Sequence, residues 1–194
     1  MDASVVVLFS GGADSALTVL LADATVIGHG KVVALFVDYG QPSAAIERAY
    51  AERFAARHRI RIECVSFPVH GLSALDVASD SPVIPGRNAL LLSAAVNLAA
   101  SIGAEHVCFG ATGGDYAEFP DCRPAFIGAY DALVKASGLS VSVSAPLLEM
   151  TKREVMEELR TFGITEDATW SCYGRGPAAC GECMSCLERE SAAL

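Results

Sequence analysis

The chain has 194 residues, of which 52% are hydrophobic, and a formal net charge of -9 from 14 Lys and Arg against 23 Asp and Glu. This length and apolar content suit one domain with a buried core. The acidic balance opposes the attraction to phosphates on which nucleic-acid binding depends, so we expect a small-molecule substrate and no nucleic-acid partner. No stretch approaches the roughly 20 apolar residues of a membrane helix and no signal peptide is recognisable, which predicts a cytoplasmic protein without a membrane partner.

Short apolar runs alternate along the chain with longer stretches of helical periodicity. The runs rich in β-branched residues cover 5–9, 32–37, 60–66, 106–110 and 141–144, and helical stretches cover 44–58, 88–100 and 151–161. In the first helical stretch, the spacing predicts a core-facing side that includes Ala45 and Ala49 and a solvent-facing side that includes Glu47. The alternation predicts an α/β fold, a doubly wound parallel five-stranded sheet with helices on both faces.

The stretch SGGADS at 10–15 follows the first predicted strand and leads into a helical stretch. Ligands of doubly wound sheets bind at the carboxyl ends of strands, where this loop lies. Its two glycines let backbone amides approach an anion, and the following helix presents its positive end. Asp14 beside an anionic ligand is explained by a bridging cation such as Mg²⁺, and Ser15 adds a hydroxyl group. The alternative is an ordinary turn in which Ser10 caps the helix.

Four of the seven cysteines lie close together, in the pattern Cys172-x7-Cys180-x2-Cys183-x2-Cys186. Two overlapping C-x-x-C steps give turns that bring thiolates together on a tetrahedral Zn²⁺ ion, and four protein ligands predict a structural site. The alternatives are an iron–sulfur cluster and four unrelated buried thiols. Without an export signal, the pattern favours metal binding in a reducing compartment over disulfides.

Motifs along nearly the whole chain resemble those of a known family. The loop 10–15 resembles the PP-loop of ATP pyrophosphatases, enzymes that adenylate a substrate oxygen and release pyrophosphate. Together with VDYGQ (37–41), PGRN (85–88), FPDCR (119–123), TWSCYG (169–174) and CGECMSC (180–186), it resembles the 7-cyano-7-deazaguanine synthase (QueC) family. The resemblance implies the adenine nucleotide alpha hydrolase-like form of the predicted fold. The chain differs from the family's usual sequence at Pro42-Ser43, where Arg-His is common, and in a short segment at 67–85.

The resemblance implies roles for residues near the ends of the predicted strands. Cys122 is interpreted as part of a pocket wall, because acyl transfer from an adenylate to ammonia needs no thiol nucleophile. The residues predicted to bind ATP are Leu8, Phe9, Ser10, Gly11, Gly12, Ala13, Asp14, Ser15, Ala16, Leu17, Thr18, Asp38, Tyr39 and Gln41. The predicted catalytic residues are Asp14, Ser15, Arg87, Asp115 and Lys152, and the predicted substrate-binding residues are Arg87, Asn88, Asp115, Phe119, Asp121 and Arg123.

The activity that the resemblance implies is the conversion of 7-carboxy-7-deazaguanine and ammonia, with ATP, into 7-cyano-7-deazaguanine through adenylated acid and amide intermediates. Mg²⁺ would act with ATP, and Zn²⁺ would be structural. Residues 1–168 would form the ATP-binding domain, with the cysteine segment 169–194 packed on it, in a possible homodimer. Three alternatives stay open: a relative that stops at the amide or passes the activated deazaguanine to another amine, a PP-loop enzyme that thiolates tRNA, and a non-enzymatic module that binds adenine nucleotides.

Overall fold

The computed structural model of the protein describes residues 4–25, 31–70, 83–174 and 176–193. The strands in these ranges are β1 (Val5–Leu8), β2 (Val32–Asp38), β3 (Arg61–Ser66), β4 (His106–Cys108) and β5 (Ser142–Ser144). The α-helices are α1 (Ala13–Thr25), α2 (Ala44–His58), α3 (Arg87–Ile102), α4 (Gly113–Glu118), α5 (Pro124–Ala136), α6 (Lys152–Thr161) and α7 (Met184–Ala193). Part of the segment 67–85, whose shortness the sequence analysis noted, lies outside the described residues.

The strands form one parallel sheet in the order β3-β2-β1-β4-β5. Val5 of the central strand pairs with Val32 on one side and with His106 on the other. The direction in which the chain builds the sheet therefore reverses at β1, and a crevice opens between the carboxyl ends of β1 and β4. The doubly wound parallel sheet predicted from the sequence is confirmed.

The core lies on both faces of the sheet because alternate strand residues point in opposite directions. Val5 and Val7 belong to a buried cluster with side chains of α1, α2 and α6, whereas Val6 belongs to a second cluster with side chains of α3 and α5. Strands buried on both faces explain why their sequences are apolar throughout rather than alternating.

Most predicted elements occur within one or two residues of their expected bounds, and α2 matches 44–58. The predicted core side of α2 is partly wrong, since Ala45 and Ala49 are exposed and Ala51 is buried instead. Glu47, which the sequence placed on the solvent side, lines a cavity. Alanine contributes little to helical patterning, so tertiary packing decides which alanines become buried.

Among the described residues, no helix combines the length and the apolar character needed to cross a membrane.

Candidate active site

An open cavity of about 280 Å³ lies at the carboxyl ends of the central strands. The loop 10–15 forms one of its walls, between the end of β1 and the start of α1. The Ser10 hydroxyl accepts a hydrogen bond from Gly12 N at 3.3 Å, and the Ser15 hydroxyl donates to the Gly12 carbonyl at 3.0 Å. Because the first amides of a helix have no partners within the helix, this wall is suited to an anion.

Two glycines allow the loop to pack closely against its neighbours. Gly11 has a φ of 82°, and a Cβ atom there would lie 2.8 Å from the backbone oxygen of Glu47. At Gly110, just beyond β4, a Cβ atom would lie 2.8 Å from the carbonyl carbon of Asp14. Side chains at these two positions would push the loop away from α2 or from the end of β4.

Asp14 and Lys152 form an ion pair inside the cavity, with 2.5 Å between Oδ2 and Nζ. Burial raises the pKa of the Asp14 carboxyl, Lys152 opposes that rise, and the nearby Asp115 carboxylate adds to it. Asp14 Oδ1 is shut off from solvent and has no hydrogen-bond partner among the described residues. A buried oxygen without a donor, in a cavity that also holds a second carboxylate, fits a divalent cation that prefers oxygen ligands.

Helix caps hold Lys152 and Asp115 at the cavity. Thr151 caps α6, where it and Glu154 form a reciprocal capping box, and this places Lys152 at the first position of the helix. One oxygen of Asp115 accepts hydrogen bonds from both the amide and the hydroxyl of Thr112, each at 2.8 Å. A lysine in the first turn opposes the helix dipole, so the ion pair with Asp14 accounts for its position.

Arg87 lies on a wall of the cavity with two tyrosines. It begins α3 and forms a hydrogen bond with the Tyr39 hydroxyl, and its positive charge also acts on the pKa of Tyr173. Burial raises the pKa of both tyrosines, so their hydroxyl groups remain neutral donors. A guanidinium group between two neutral phenols can bind a carboxylate or phosphate by two parallel hydrogen bonds.

Glu47 is a cavity residue that the sequence analysis missed. Its carboxylate accepts hydrogen bonds from Gln41 Nε2 at 2.8 Å and from the Ser43 hydroxyl at 2.6 Å. Burial raises the pKa of Glu47. Ser43, one of the two residues that differ from the family's usual sequence, is therefore buried beside the cavity and holds Glu47.

The cysteine segment supplies a further wall. Trp170, Ser171, Tyr173 and Ser185 line the cavity together with the loop 10–15. Arg189 of α7 fixes this segment by donating to the Thr169 carbonyl and to the Ser171 hydroxyl, each at 3.1 Å. The motifs TWSCYG and CGECMSC contain these residues, but their spacing alone did not indicate that they reach the nucleotide loop.

Most of the predicted site residues lie together at the cavity, although their roles stay predictions. All the predicted catalytic residues line it. Of the residues predicted to bind ATP, the cavity is lined by Leu8, Phe9, Ser10, Gly12, Ala13, Asp14, Ser15, Tyr39 and Gln41, whereas Gly11, Ala16, Leu17, Thr18 and Asp38 are not among its lining residues. Buried positions in α1 explain the distance of Ala16, Leu17 and Thr18 from the cavity.

The predicted substrate-binding residues divide into two groups. Arg87, Asn88, Asp115 and Phe119 line the cavity, whereas Asp121 and Arg123 do not. Asp121 instead lies near the start of α3, where its carboxylate accepts from Asn88 N at 3.4 Å, and Arg123 is exposed. Cys122 lines the cavity, and burial raises the pKa of its thiol to about 12, so the thiol is a poor nucleophile.

The Sγ atoms of Cys172, Cys180, Cys183 and Cys186 all lie within 4.8 Å of one another. Neighbouring backbone amides point at the sulfurs, since Gly174 N donates to Cys172 Sγ at 3.2 Å and Cys183 N donates to Cys180 Sγ at 3.4 Å. Amide hydrogen bonds favour the thiolate form, and they lower the pKa of Cys180 to about 7. These four residues could hold a metal ion.

The spacing of the sulfurs distinguishes between metal centres. A tetrahedron with Zn–S bonds of about 2.3 Å has an edge of about 3.8 Å. The pairs Cys172–Cys180 and Cys180–Cys186 have Sγ–Sγ distances of 3.5 Å and 3.9 Å. A cubic iron–sulfur cluster separates its four cysteine ligands more widely, because each binds a different iron atom. The geometry fits a single ion.

Comparisons of the sequence identify relatives over its full length. The model of a family described as "Queuosine biosynthesis protein QueC" matches residues 4–194. A 7-cyano-7-deazaguanine synthase from Synechococcus sp. (strain CC9311) is 34% identical over 217 residues, which cover 100% of this chain and 93% of that protein. The enzyme of the same name from Hahella chejuensis (strain KCTC 2396) is 38% identical, over 95% of this chain and 85% of that protein.

Comparisons of the structure identify the same fold in more distant proteins. A U34-tRNA thiolase, NcsA from Methanococcus maripaludis with its 4Fe-4S cluster, gives a TM-score of 0.61 at 12% identity, over 99% of this chain and 64% of that chain. An NMN synthetase from Francisella tularensis gives 0.60 at 17% identity, over 91% of this chain and 69% of that chain. At these identities the similarity establishes the fold alone.

Proposed function

The chain belongs to the QueC family of queuosine biosynthesis proteins, and on that premise we propose that it is an ATP-dependent 7-cyano-7-deazaguanine synthase. Its substrates would be 7-carboxy-7-deazaguanine, ammonia and ATP. The observation that carries the proposal is one cavity that joins an anion-binding loop, the Asp14–Lys152 pair and Arg87. These groups suit, in turn, the phosphates of a nucleotide, its cation and a substrate carboxylate.

We assign the ATP phosphates to the loop 10–15 and to Lys152. The backbone amides of the loop and the start of α1 would stabilise the negative charge that develops on the departing pyrophosphate. Asp14 and Asp115 would hold Mg²⁺, which when bound neutralises phosphate charge. Asp14 Oδ1, which has no hydrogen-bond partner among the described residues, is the oxygen that we assign to the ion.

The substrate carboxylate is assigned to Arg87, with Asn88 and Phe119 beside it. One carboxylate oxygen would attack the α-phosphorus of ATP, giving an acyl-adenylate and pyrophosphate. Ammonia would then displace AMP and form the amide. A second adenylation, on the amide oxygen, would allow loss of AMP and two protons to leave the nitrile. Each half of the reaction thus releases AMP and pyrophosphate.

The four cysteines are assigned to a structural Zn²⁺ ion, since protein sulfur fills every position of a tetrahedral site. No step of the reaction is assigned to this ion. We further propose that residues 1–168 form the ATP-binding domain and residues 169–194 a metal-binding segment of the same unit. We also propose that the enzyme works in the cytoplasm as a homodimer, without a nucleic-acid partner.

The test is to incubate purified protein with 7-carboxy-7-deazaguanine, ATP, Mg²⁺ and ammonium, and to identify the products by mass spectrometry. We expect the nitrile, with AMP and pyrophosphate released. An amide as the final product would indicate the relative that stops halfway. Absence of both amide and nitrile would refute the proposed function, and stoichiometric ADP would refute the adenylation mechanism.

Replacing Lys152 tests the assignment of the phosphate site. In Lys152→Met, the buried Asp14 carboxylate loses its counter-charge and the phosphates lose a cation, so we expect the rate to fall by about 100-fold or more. The matched control is Lys135→Met, whose ammonium pairs with Asp131 at the surface. Steady-state rates of pyrophosphate release compare the two variants. A similar loss in both would contradict a specific role for Lys152.

A further inference from the structure

The cysteine segment and the nucleotide loop are joined directly at Trp170. The backbone amide of Trp170 donates a hydrogen bond to the Gly11 carbonyl at 2.9 Å. A Cβ atom at Gly12 would lie 3.3 Å from the Trp170 carbonyl oxygen, so the segment passes close to both glycines. The two stretches are distant in sequence, and this contact is a tertiary one.

The Trp170 side chain connects the same residue to the metal-binding cysteines. Its indole Nε1 donates to the Cys172 carbonyl at 2.9 Å. Trp170 is 7% exposed and belongs to a buried cluster with Cys172 and Cys183. The ring also packs against Tyr50 of α2, with 5.5 Å between ring centroids. These contacts link the position of Trp170 to that of Cys172, which a bound metal ion would fix.

The orientation of the Gly11 carbonyl determines where the next amide points. In a trans peptide, the carbonyl of one residue and the N–H of the following residue point in opposite directions. When the Trp170 amide binds the Gly11 carbonyl, the Gly12 N–H points away from the cysteine segment. It then donates a hydrogen bond to the Ser10 hydroxyl. This amide is one of the groups that the proposed function assigns to the phosphates of ATP.

We propose that Trp170 is a positioning residue that couples the metal centre to the nucleotide loop. A metal bound by the four cysteines fixes Cys172, Cys172 fixes Trp170, and Trp170 sets the orientation of the Gly11–Gly12 peptide. Metal occupancy thereby controls affinity for ATP although the ion touches no substrate. The part that concerns ATP rests on the proposed function, whereas the coupling between metal and loop does not.

Hydrogen–deuterium exchange of residues 11–15 tests the coupling without any nucleotide. Trp170→Phe retains the ring against Tyr50 and the backbone amide but loses the indole donor. We expect exchange in 11–15 to be about fivefold faster in metal-loaded Trp170→Phe than in the unchanged protein, the factor that one neutral hydrogen bond contributes. The control variant Leu187→Ala changes a 52% exposed residue of α7 and should leave this exchange unaltered.

Metal removal from the unchanged protein is the second measurement, and it requires no variant to fold. Stripping the metal should accelerate exchange in 11–15 while exchange in β2 (Val32–Asp38) stays slow, which distinguishes local coupling from general destabilisation. Equal exchange in 11–15 for the loaded, stripped and Trp170→Phe proteins would overturn the proposal. Faster exchange in β2 by the same factor would do so too.

Binding of a non-hydrolysable ATP analogue then connects the coupling to ATP. Trp170 is the single tryptophan in the sequence, so its fluorescence reports on this contact alone. We expect the analogue to change the emission of the unchanged protein. Isothermal titration calorimetry, which needs no tryptophan, should give a dissociation constant about fivefold higher in Trp170→Phe than in the unchanged protein at full metal content. An unchanged dissociation constant in that variant would overturn the ATP part of the proposal. If the analogue fails to bind the unchanged protein while exchange in 11–15 depends on metal and Trp170, the coupling stands and the proposed function falls.

Discussion

Gly11 is the residue at which local geometry constrains the nucleotide loop most. Its φ of 82° lies in the region that favours glycine, and the backbone oxygen of Glu47 occupies the space a Cβ atom would need. A side chain would therefore cost both backbone strain and close contact. The loop can keep its position against α2 only with glycine here.

The substitution Gly11→Ala should lower the free energy of unfolding by about 3 kcal/mol and weaken ATP binding, because the loop must move away from α2. Gly138→Ala is the matched control, since Gly138 has a φ of 80° but open space around its Cβ position. The control substitution should lower the free energy of unfolding by about 1 kcal/mol, because it adds backbone strain alone. Denaturant unfolding measures both, and equal losses would contradict the packing argument.

Glu47 should make stability depend on pH in an unusual direction. Folding raises its pKa above the ordinary 4.5 through burial, so the folded protein binds this proton more tightly than the unfolded chain. Protonation of Glu47 therefore favours the fold, and its contribution to stability increases as pH falls from 7 through the folded pKa. An ionised Glu47 is less favourable in the fold than a protonated one, a cost that is typical of functional residues.

Glu47→Gln should raise the free energy of unfolding at pH 7, because a neutral amide avoids the burial penalty and can still bond with Gln41 and Ser43. The advantage over the unchanged protein should shrink as pH falls through the folded pKa of Glu47. Unfolding curves over a series of pH values test this. A variant that is less stable than the unchanged protein by the same amount at every pH would show that the hydrogen-bond geometry matters more than the charge.

The cysteine segment, which includes α7, makes only a small apolar contribution to the large buried cluster beside the sheet. Ala192 is the only residue of α7 in the large buried cluster among the described residues, and the remaining attachment comes from Arg189, Trp170 and the cysteine cluster. A segment with so little apolar burial needs polar contacts for its order, and a metal ion on the four cysteines would add to them.

Loss of the metal should therefore loosen this segment before the sheet unfolds. Cys183→Ser should contain less than one equivalent of metal and melt at least about 5 °C lower, the shift that roughly 2 kcal/mol gives in a domain of this size. Cys64→Ser, at an exposed cysteine of β3, is the control and should retain full metal content and melting temperature. Elemental analysis and calorimetry measure the two quantities. Full metal content in Cys183→Ser would exclude a four-cysteine site.

The elements themselves were largely predictable because their signals are local. Apolar strands and helical periodicity give the sheet and α2, and the SGGADS loop predicts an anion site at the end of β1. The walls of the cavity were less predictable. Glu47 lies on the polar side of a helical pattern and yet lines the cavity. Trp170 contacts Gly11 only because the fold brings two distant stretches of the chain together. Asp121 and Arg123 share a motif with Phe119, but they flank or lie in the turn at Pro120–Cys122 and are not among the residues that line the cavity.

For the molecule as a whole, the net charge of -9 bears on which partners it can bind. An acidic protein repels the phosphate backbone of nucleic acids unless it concentrates basic residues on one surface. The net charge therefore favours a small molecule over tRNA as the substrate.

Binding to tRNA at physiological salt should be no tighter than a dissociation constant of about 10⁻⁴ M, the weak end of non-specific binding. Filter binding or fluorescence anisotropy with unmodified tRNA measures this, and the same assay with a basic RNA-binding protein serves as the positive control. Micromolar affinity that persists as salt is raised would favour the thiolating alternative and would contradict the proposed small-molecule substrate.

The contact between Gly11 and Trp170 also has a consequence for how the protein matures. During synthesis, the nucleotide loop leaves the ribosome early, whereas the residues that hold it are made much later. Contacts between distant parts of a chain form late because they close large loops. The sheet can begin to assemble without the cysteine segment. On the proposed coupling, the loop would acquire its final orientation only after that segment has been made and has bound a metal ion. Full affinity for ATP would therefore be the last property that a new chain gains, and scarcity of metal would leave folded chains that bind ATP about fivefold more weakly.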